Sequence, residues 1–357
     1  MNEKIVIVAS AYSDPITEFA DLKKKRNLWT FEIGLSFDDL AKKTLNKIPE
    51  EFLEDVETVI FSTLNNDESA RAKIYEDVSK GKDKTRPSTV LSASSIGIRM
   101  SLCDMLKTNP DIFNVQSACS TGIKSLEVGV MTAALKDQVV LVGACDKMAT
   151  DYNLVFFNSL GALSKSENYI GPFDKNRSGF AMGEGAAFMV ICKESFAVKK
   201  GWTPLAYVDA VVSAAKAVHP TDPSDLQFIS DLTEKCINDS GRSKKDFAHW
   251  NAHATCTPSG DLVEYLTFSS VFKNTNVPIS SFKGNIGHTM GPAGLIEVIR
   301  GIEYIQKNEI FFNERLTEPL EKDDRILTSL QKTDKRTFLK CSFGFGGRNS
   351  IAVITVV

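Results

Sequence analysis

The sequence predicts an α/β protein built from two similar halves. Short apolar runs alternate with longer helical patterns, the series begins again near residue 203, and 357 residues suffice to bury a large layered core. In the first half, strands are expected at KIVIVAS (4–10), VETVIFSTL (56–64), FNVQSA (113–118), QVVLVGACD (138–146) and GAAFMVICKE (185–194). Runs this short and apolar suit strands covered on both faces. Between them, SFDDLAKKTLNKI (36–48) repeats apolar residues at helical spacing behind a capping Ser36. STGIKSLEVGVMTAAL (120–135) opens a long helix directly after Cys119.

The second half repeats the rhythm with TPLAYVDAVVSAA (203–215), DLQFISDLTEKCINDSG (225–241), HWNAHAT (249–255), VPISSF (277–282), AGLIEVIRGIEYIQ (293–306) and NSIAVITVV (349–357). Each half sends a strand into a turn containing Gly and Ser before a long helix (VQSACSTG, SSFKGNIGH). Each closes on a Gly-rich turn that feeds a last strand (GEGAAFMVI, GFGGRNSIAVI). A period of half the chain indicates duplication, with halves at 1–198 and 199–357 joined near KESFAVKKGWTP (193–204).

Composition narrows the function. With 43% hydrophobic residues, 24% charged and a net charge of −3, the chain reads as a globular protein with no general attraction to nucleic acid. The lysine-rich stretches KKKR (23–26), KGKDKTR (80–86) and RSKKD (242–246) read as solvated faces. The apolar run near the N-terminus is too short for a secretory or membrane segment, so the expected setting is cytoplasmic, without membrane insertion. Seven cysteines (103, 119, 145, 192, 236, 256, 341) are odd in number and lack CxxC spacing, which favours reduced thiols over a disulfide framework or a structural zinc site.

Four stretches carry chemistry. In VQSACSTG, Cys119 stands at the start of a helix, where unpaired N–H groups and the dipole favour a thiolate, among small residues that let a carbonyl approach. NAHATCTPSGDLVEY (251–265) places His253 at a strand end before a polar turn and Glu264. SFKGNIGHTMGPAG (281–294) supplies Lys283 and His288. CSFGFGGRNSIAV (341–353) is a Gly and aromatic turn able to bring a backbone N–H to a reacting carbonyl. A metal held by Cys119, His253 and His288 is disfavoured, because no tight ligand pair or fourth ligand accompanies them.

The ordered set SACSTG, GPFDKNRSGFAMGEGAA, NAHATCTPSGD, KGNIGHTMGPAG and SFGFGGRNS resembles the β-ketoacyl-acyl-carrier-protein synthases over roughly residues 113 to 357. These are the elongating condensing enzymes of fatty acid and polyketide synthesis. The resemblance implies a five-layer αβαβα thiolase-like fold. It implies that Cys119 takes an acyl group from an acyl carrier protein, while His253 and His288 assist decarboxylation of a malonyl thioester. Lys283 and Glu264 would be the charged pair that orients the histidines, and the N–H groups of Cys119 and Phe345 would form the oxyanion hole. Phe345 would also gate the acyl pocket, and Thr255, Thr257 and Phe343 would line the substrate path. Substrates would arrive on the phosphopantetheine of the carrier, with no metal or organic cofactor in the protein. Asp174, Arg177 and Glu184 are expected to be internal scaffolding, Met182 and Cys256 packing residues, and His219 and His249 non-catalytic.

Several positions depart from the family pattern: Ala254 where glycine follows the first histidine, Gly171 where arginine precedes PFD, Gly284 where serine follows the lysine, and Arg348 where threonine follows the double glycine. None removes a catalytic group; Arg348 lies where it could alter the pocket, pair with a carboxylate or meet a partner. Residues 1–112 keep a first strand but lack the Gly-rich opening, and Cys119 comes early, which implies shortened capping or dimer-contact elements. The acyl tunnel would then be open or completed by a second subunit, in a homodimer or a heterodimer with a second ketosynthase-like chain. The KGNIGHT stretch leans toward specialised metabolism. Two other readings stand beside the condensing enzyme: a noncatalytic subunit that sets chain length, which intact Cys119, His253 and His288 speak against, and a same-fold acyltransferase to a hydroxyl or amine. A thiolase would carry a second cysteine where this chain has Phe343 and Phe345.

Overall fold

Strand β1 (Ile5–Ser13) is apolar along most of its length because both of its faces are covered. The computed structural model describes residues 3–18, 20–64, 68–216 and 225–357, so His219 lies outside the described residues. The first half adds helix α1 (Phe37–Leu45), β2 (Val56–Ser62), α2 (Ser95–Met105), β3 (Asp111–Asn114), α3 (Thr121–Lys136), β4 (Val139–Lys147), α4 (Asp151–Ser159) and β5 (Met182–Lys193). The second half contributes β6 (Ala206–Ala215), α5 (Leu226–Asp239), β7 (Phe247–Asn251), α6 (Pro258–Val271), β8 (Ile279–Ser280), α7 (Ala293–Gln306), β9 (Thr337–Gly344) and β10 (Arg348–Val356). Ser36 caps α1 as expected, accepting a hydrogen bond from the Asp39 N–H at 3.1 Å.

The strand order is β8-β7-β9-β10-β6-β1-β5-β4-β2-β3, with the hairpin Leu22–Lys25/Leu28–Phe31 attached to β5. The two halves are topologically equivalent. β3-β2-β4-β5-β1 and β8-β7-β9-β10-β6 share one order and one pattern of direction: the first three strands of each are parallel and the last two pairings antiparallel. A short antiparallel ladder, Ile5 to Val208 through Ile7 to Ala206, joins the halves.

Helices α3 and α7 lie between the two half-sheets. α3 packs on β2, β4 and β5 of the first half and on β6 and β10 of the second, while α7 meets β1 and β5 as well as β9 and β10. α1 covers the outer face of the first half-sheet, and α5, backed by α6, that of the second. Helix, sheet, helix, sheet, helix is the five-layer order expected. Alternation along β5 shows why its run is uniformly apolar. Ala187, Met189 and Ile191 enter the central core with Ile123, Leu126 and Leu295, whereas Phe188, Val190 and Cys192 enter the outer core with Leu40 and Phe61. Leu126 is fully buried, and truncating it to alanine is expected to cost about 2–5 kcal/mol. α3 and α7 approach closely: a Cβ on Gly122 would stand 2.8 Å from the Gly291 carbonyl oxygen, and one on Gly294 would stand 2.7 Å from Ile123 Cγ1.

Three expected strands prove shorter. β3 covers 111–114, and Val115 to Ala118 leave the sheet to form the turn that presents Cys119. β7 stops at Asn251, which frees His253 from the ladder, and β8 is reduced to Ile279 and Ser280. No helix among the described residues is long and apolar enough to cross a membrane.

Candidate active site

Cys119 is presented by a strained turn. Ala118 adopts φ +46°, a left-handed conformation unusual for a residue with a Cβ. The turn is held by hydrogen bonds from the Ser120 and Thr121 N–H groups to the Ser117 and Ala118 carbonyls, both at 3.0 Å, and from the Ser117 N–H to Thr121 Oγ1 at 2.8 Å. Cys119 thus precedes Ser120, the N-cap of α3, rather than occupying the first helical turn. Cys119 is 7% exposed and belongs to a buried cluster with Met148, Leu154, Phe157, Phe180, Met182 and Met290. The expectation of a stabilised thiolate is therefore corrected: burial pushes the thiol up to about 11, against the opposing pull of Lys283 and of the Phe345 N–H.

The N–H groups of Phe345 and of Cys119 itself lie within hydrogen-bonding reach of the sulfur. This close approach depends on Gly344, where a Cβ would meet the Ser117 carbonyl oxygen at 3.0 Å and the Cys119 nitrogen at 3.1 Å.

His253 follows β7, and His288 ends the turn before α7. Their rings meet edge to face at a centroid distance of 5.3 Å and an interplanar angle of 83°. Phe343 stands 5.9 Å from His253, and Phe180 stands 5.2 Å from His288. His288 Nδ1 accepts the Met290 N–H at 3.3 Å, which leaves the ring proton on Nε2. His288 Nε2 and His253 Nδ1 are buried and have no hydrogen-bond partner among the described residues. Burial, and then the Lys283 charge, hold both imidazoles well below their ordinary value, so both are neutral near pH 7.

Glu264 supports His253 through the backbone. Its Oε1 accepts the His253 N–H at 2.8 Å and Trp250 Nε1–H at 3.0 Å, and its Oε2 accepts the Ala254 N–H at 2.7 Å. The expected pairing of Lys283 with Glu264 is not what forms. Lys283 is ion-paired with Glu297 of α7, and Glu297 also pairs with Lys340 of β9, all three side chains being wholly buried. Three N–H donors take up most of the Glu264 carboxylate's acceptor sites, whereas each oxygen of Glu297 is engaged by one ammonium.

Cys119, His253 and His288 face one cavity of about 170 Å³, which Thr255, Thr257, Glu264, Phe343 and Phe345 also line. One wall is polar, with Thr255 Oγ1 and Thr257 Oγ1 3.2 Å apart; the other is apolar, with Phe157, Leu160, Ala162 and Phe180. Arg177 supports the polar lip, donating to the Thr257 carbonyl at 3.1 Å and the Asp174 carbonyl at 2.7 Å. Asp174 in turn accepts the Thr317 and Glu318 N–H groups at 2.7 and 2.9 Å, and Glu184 binds the Ile33 N–H at 2.7 Å and Lys147 at 2.9 Å. These three are internal ties, as expected.

Met182 and Cys256 are buried, and Cys256 Sγ sits 3.3 Å from the Tyr169 hydroxyl. His249 is a core residue, its Nε2 2.8 Å from Ser280 Oγ, away from the cavity. Arg348 is exposed and donates to the Gln116 carbonyl at 3.4 Å, beside the turn that carries Cys119.

Sequence reasoning missed Glu297, Lys340, Phe157 and Phe180. The signal for the first two was present: Glu297 in GLIEVI and Lys340 in FLKC are each the single charge within an apolar run of buried residues. Phe157 and Phe180 carried no such mark.

Proteins of known sequence and structure resemble the chain over most of its length. The model for the beta-ketoacyl synthase N-terminal domain matches residues 47–197, and that for the C-terminal domain matches residues 206–313. The chain is 30% identical over 273 residues to 3-oxoacyl-[acyl-carrier-protein] synthase II, chloroplastic, of Arabidopsis thaliana, covering 72% of this chain and 50% of that protein. It is 30% identical over 246 residues to 3-oxoacyl-[acyl-carrier-protein] synthase 2 of Staphylococcus aureus, covering 66% and 61%. The chain therefore spans about half the length of the plant relative. Among solved structures, a type II PKS ketosynthase bound to the hexaketide and in complex with its acyl-carrier protein superposes with a TM-score of 0.89 at 18% identity, over 100% of both chains. The ishigamide ketosynthase/chain length factor gives 0.86 at 20% identity, again over 100% of both. At these identities the likeness establishes the fold.

Proposed function

The chain belongs to the β-ketoacyl synthase family, and from that premise we propose that it is an acyltransferase that condenses a malonyl thioester with an acyl group held on Cys119. The observation that carries this reading is the edge-to-face pair of neutral imidazoles opening on the same cavity as the Cys119 sulfur. In the first step Cys119 attacks an acyl thioester. The new Cys119 thioester forms, the old carbon–sulfur bond breaks, and the thiol proton passes to the departing thiol. The N–H groups of Cys119 and Phe345 donate hydrogen bonds to the transient oxyanion.

In the second step the malonyl thioester carbonyl sits against His253 and His288. Carbon dioxide leaves, and the electron pair of the broken bond generates an enolate whose oxygen charge is met by imidazole N–H donors. The enolate carbon then attacks the Cys119 thioester, the carbon–sulfur bond to Cys119 breaks, and the released thiolate takes a proton from water. Neutral histidines suit this step, since they donate to the enolate without binding the malonate carboxylate as a counter-ion would.

The reading extends to substrates carried on the phosphopantetheine of an acyl carrier protein. A cavity with one threonine-lined and one phenylalanine-lined wall suits an amide-bearing arm beside an alkyl chain. It also includes a dimer, either of one chain or with a second ketosynthase-like subunit. Supporting this, β3 is an edge strand with exposed backbone, flanked by exposed Phe113, Met131 and Leu135. The duplicated topology supports halves at 1–198 and 199–357, and the cytoplasm is the setting that fits seven unpaired cysteines.

The test is product analysis with acyl- and malonyl-carrier protein. A 3-oxoacyl product two carbons longer than the acyl donor, with one carbon dioxide per product, supports condensation. Transfer of the acyl group to an added alcohol or amine without extension supports the acyltransferase reading, and no acylation supports a noncatalytic subunit.

A further inference from the structure

Lys340 is a wholly buried lysine that the two half-reactions leave unexplained. It sits on β9, the strand that ends in Phe343 and Gly344, and its ammonium reaches Ala252, just past β7, and Glu297 of α7 rather than lining the cavity. Its Nζ donates to the carbonyl of Ala252, the residue before His253, at 3.0 Å. It also forms an ion pair with Glu297. Glu297 holds Lys283 through its other oxygen, and Lys283 opens the turn that ends in His288. One ammonium is therefore bonded, directly or through one carboxylate, to the chain segments that carry both histidines.

We propose that Lys340 is a positioning residue for decarboxylation, fixing the turn of His253 and the turn of His288 in one geometry. The inference rests on the condensing function proposed above. Three features support it. Burying an ammonium is costly unless it is fully bonded, so a lysine retained here with a carbonyl and a carboxylate as partners has a defined task. β7 ends one residue before Ala252, and in the segment that follows Glu264 holds the His253 and Ala254 N–H groups while Lys340 holds the Ala252 carbonyl. Finally, His253 Nδ1 and His288 Nε2 have no hydrogen-bond partner among the described residues, so no side-chain hydrogen bond at these atoms fixes the rings and their relative placement leans on the backbone behind them.

The two half-reactions separate this role from simple stability. Acylation of Cys119 relies on the Ala118 turn and the Phe345 N–H, neither of which Lys340 bonds, whereas decarboxylation relies on the histidine pair. For Lys340→Met, which keeps length and removes the charge, acylation by acyl-carrier protein should stay within about twofold of wild type. The kcat for malonyl-carrier protein decarboxylation should fall at least about tenfold, with KM within about threefold, because a misplacement near 1 Å can cost up to about a hundredfold. Lys340→Arg, which preserves the cation and its donors, should recover most of the loss.

If Lys340→Met does not fold, Lys340→Gln is assayed against the same thresholds. Equal loss from both half-reactions, no loss from either, or failure of every neutral replacement to fold would overturn the proposal, since each leaves Lys340 a general stabilising residue. If wild type itself releases no carbon dioxide, the functional reading fails instead, and the two failures are told apart.

Discussion

The imidazoles of His253 and His288 come from different turns of the second half and meet edge to face, 5.3 Å between ring centroids, over the cavity that holds Cys119. Their neutrality follows from burial first and from the Lys283 charge second. The site thus opposes a protonated thiol to two uncharged hydrogen-bond donors.

Because burial raises the Cys119 thiol to about 11, only roughly one thiol in ten thousand is ionised at pH 7. Alkylation of Cys119 by iodoacetamide should therefore keep rising about tenfold per pH unit between pH 7 and 9. Lys283 pulls the thiol pKa down, so Lys283→Met should slow alkylation at a fixed pH. A rate already level by pH 8 would contradict the assignment.

Gly344→Ala tests the oxyanion site. The added Cβ would press on the Ser117 carbonyl and the Cys119 nitrogen, both backbone atoms that cannot rotate away. Acylation of Cys119 should slow by about a hundredfold, the scale seen when one oxyanion donor is lost, while malonyl decarboxylation falls much less. Stopped-flow acylation with an acyl-carrier protein measures the first and carbon dioxide release the second.

The fold was largely legible from periodicity, since strands buried on both faces and helices such as 293–306 declare themselves by pattern. Cys119, His253 and His288 were legible because each sits among small residues at the exit of a strand. The partner of Lys283 was not, because Glu297 is remote in sequence and ion pairing depends on how α7 lies against β9. Nor was the state of the thiol, because the helix start suggested a stabilised thiolate whereas burial in a cluster that holds Met148, Met182, Met290, Phe157 and Phe180 favours the protonated form.

Glu297→Gln would leave two buried ammonium groups without their carboxylate. Breaking a buried pair in this way is expected to cost about 3–5 kcal/mol, seen as a large fall in the urea midpoint at unchanged m-value.

Asp261 gives a pH signature. Burial lifts its carboxyl to about 7 in the folded chain, above its unfolded value, despite Arg177 at 3.6 Å. The folded state then holds a proton that the unfolded state has lost, so this group's stabilising contribution is complete below about pH 4 and declines as pH rises to about 7. Asp261→Asn cannot titrate, and its melting temperature should decline less than that of wild type between pH 5 and 8.

In the proposed reaction Cys119 carries the acyl group that a malonyl thioester then extends. Intact-mass spectrometry of wild type and Cys119→Ala, mixed with acyl-carrier protein and then chased with malonyl-carrier protein, tests it directly. The account predicts one acyl adduct on wild type, none on the variant, and loss of the adduct on the chase with release of a 3-oxoacyl product. An adduct that forms equally on Cys119→Ala, or one that survives the malonyl chase, would contradict it.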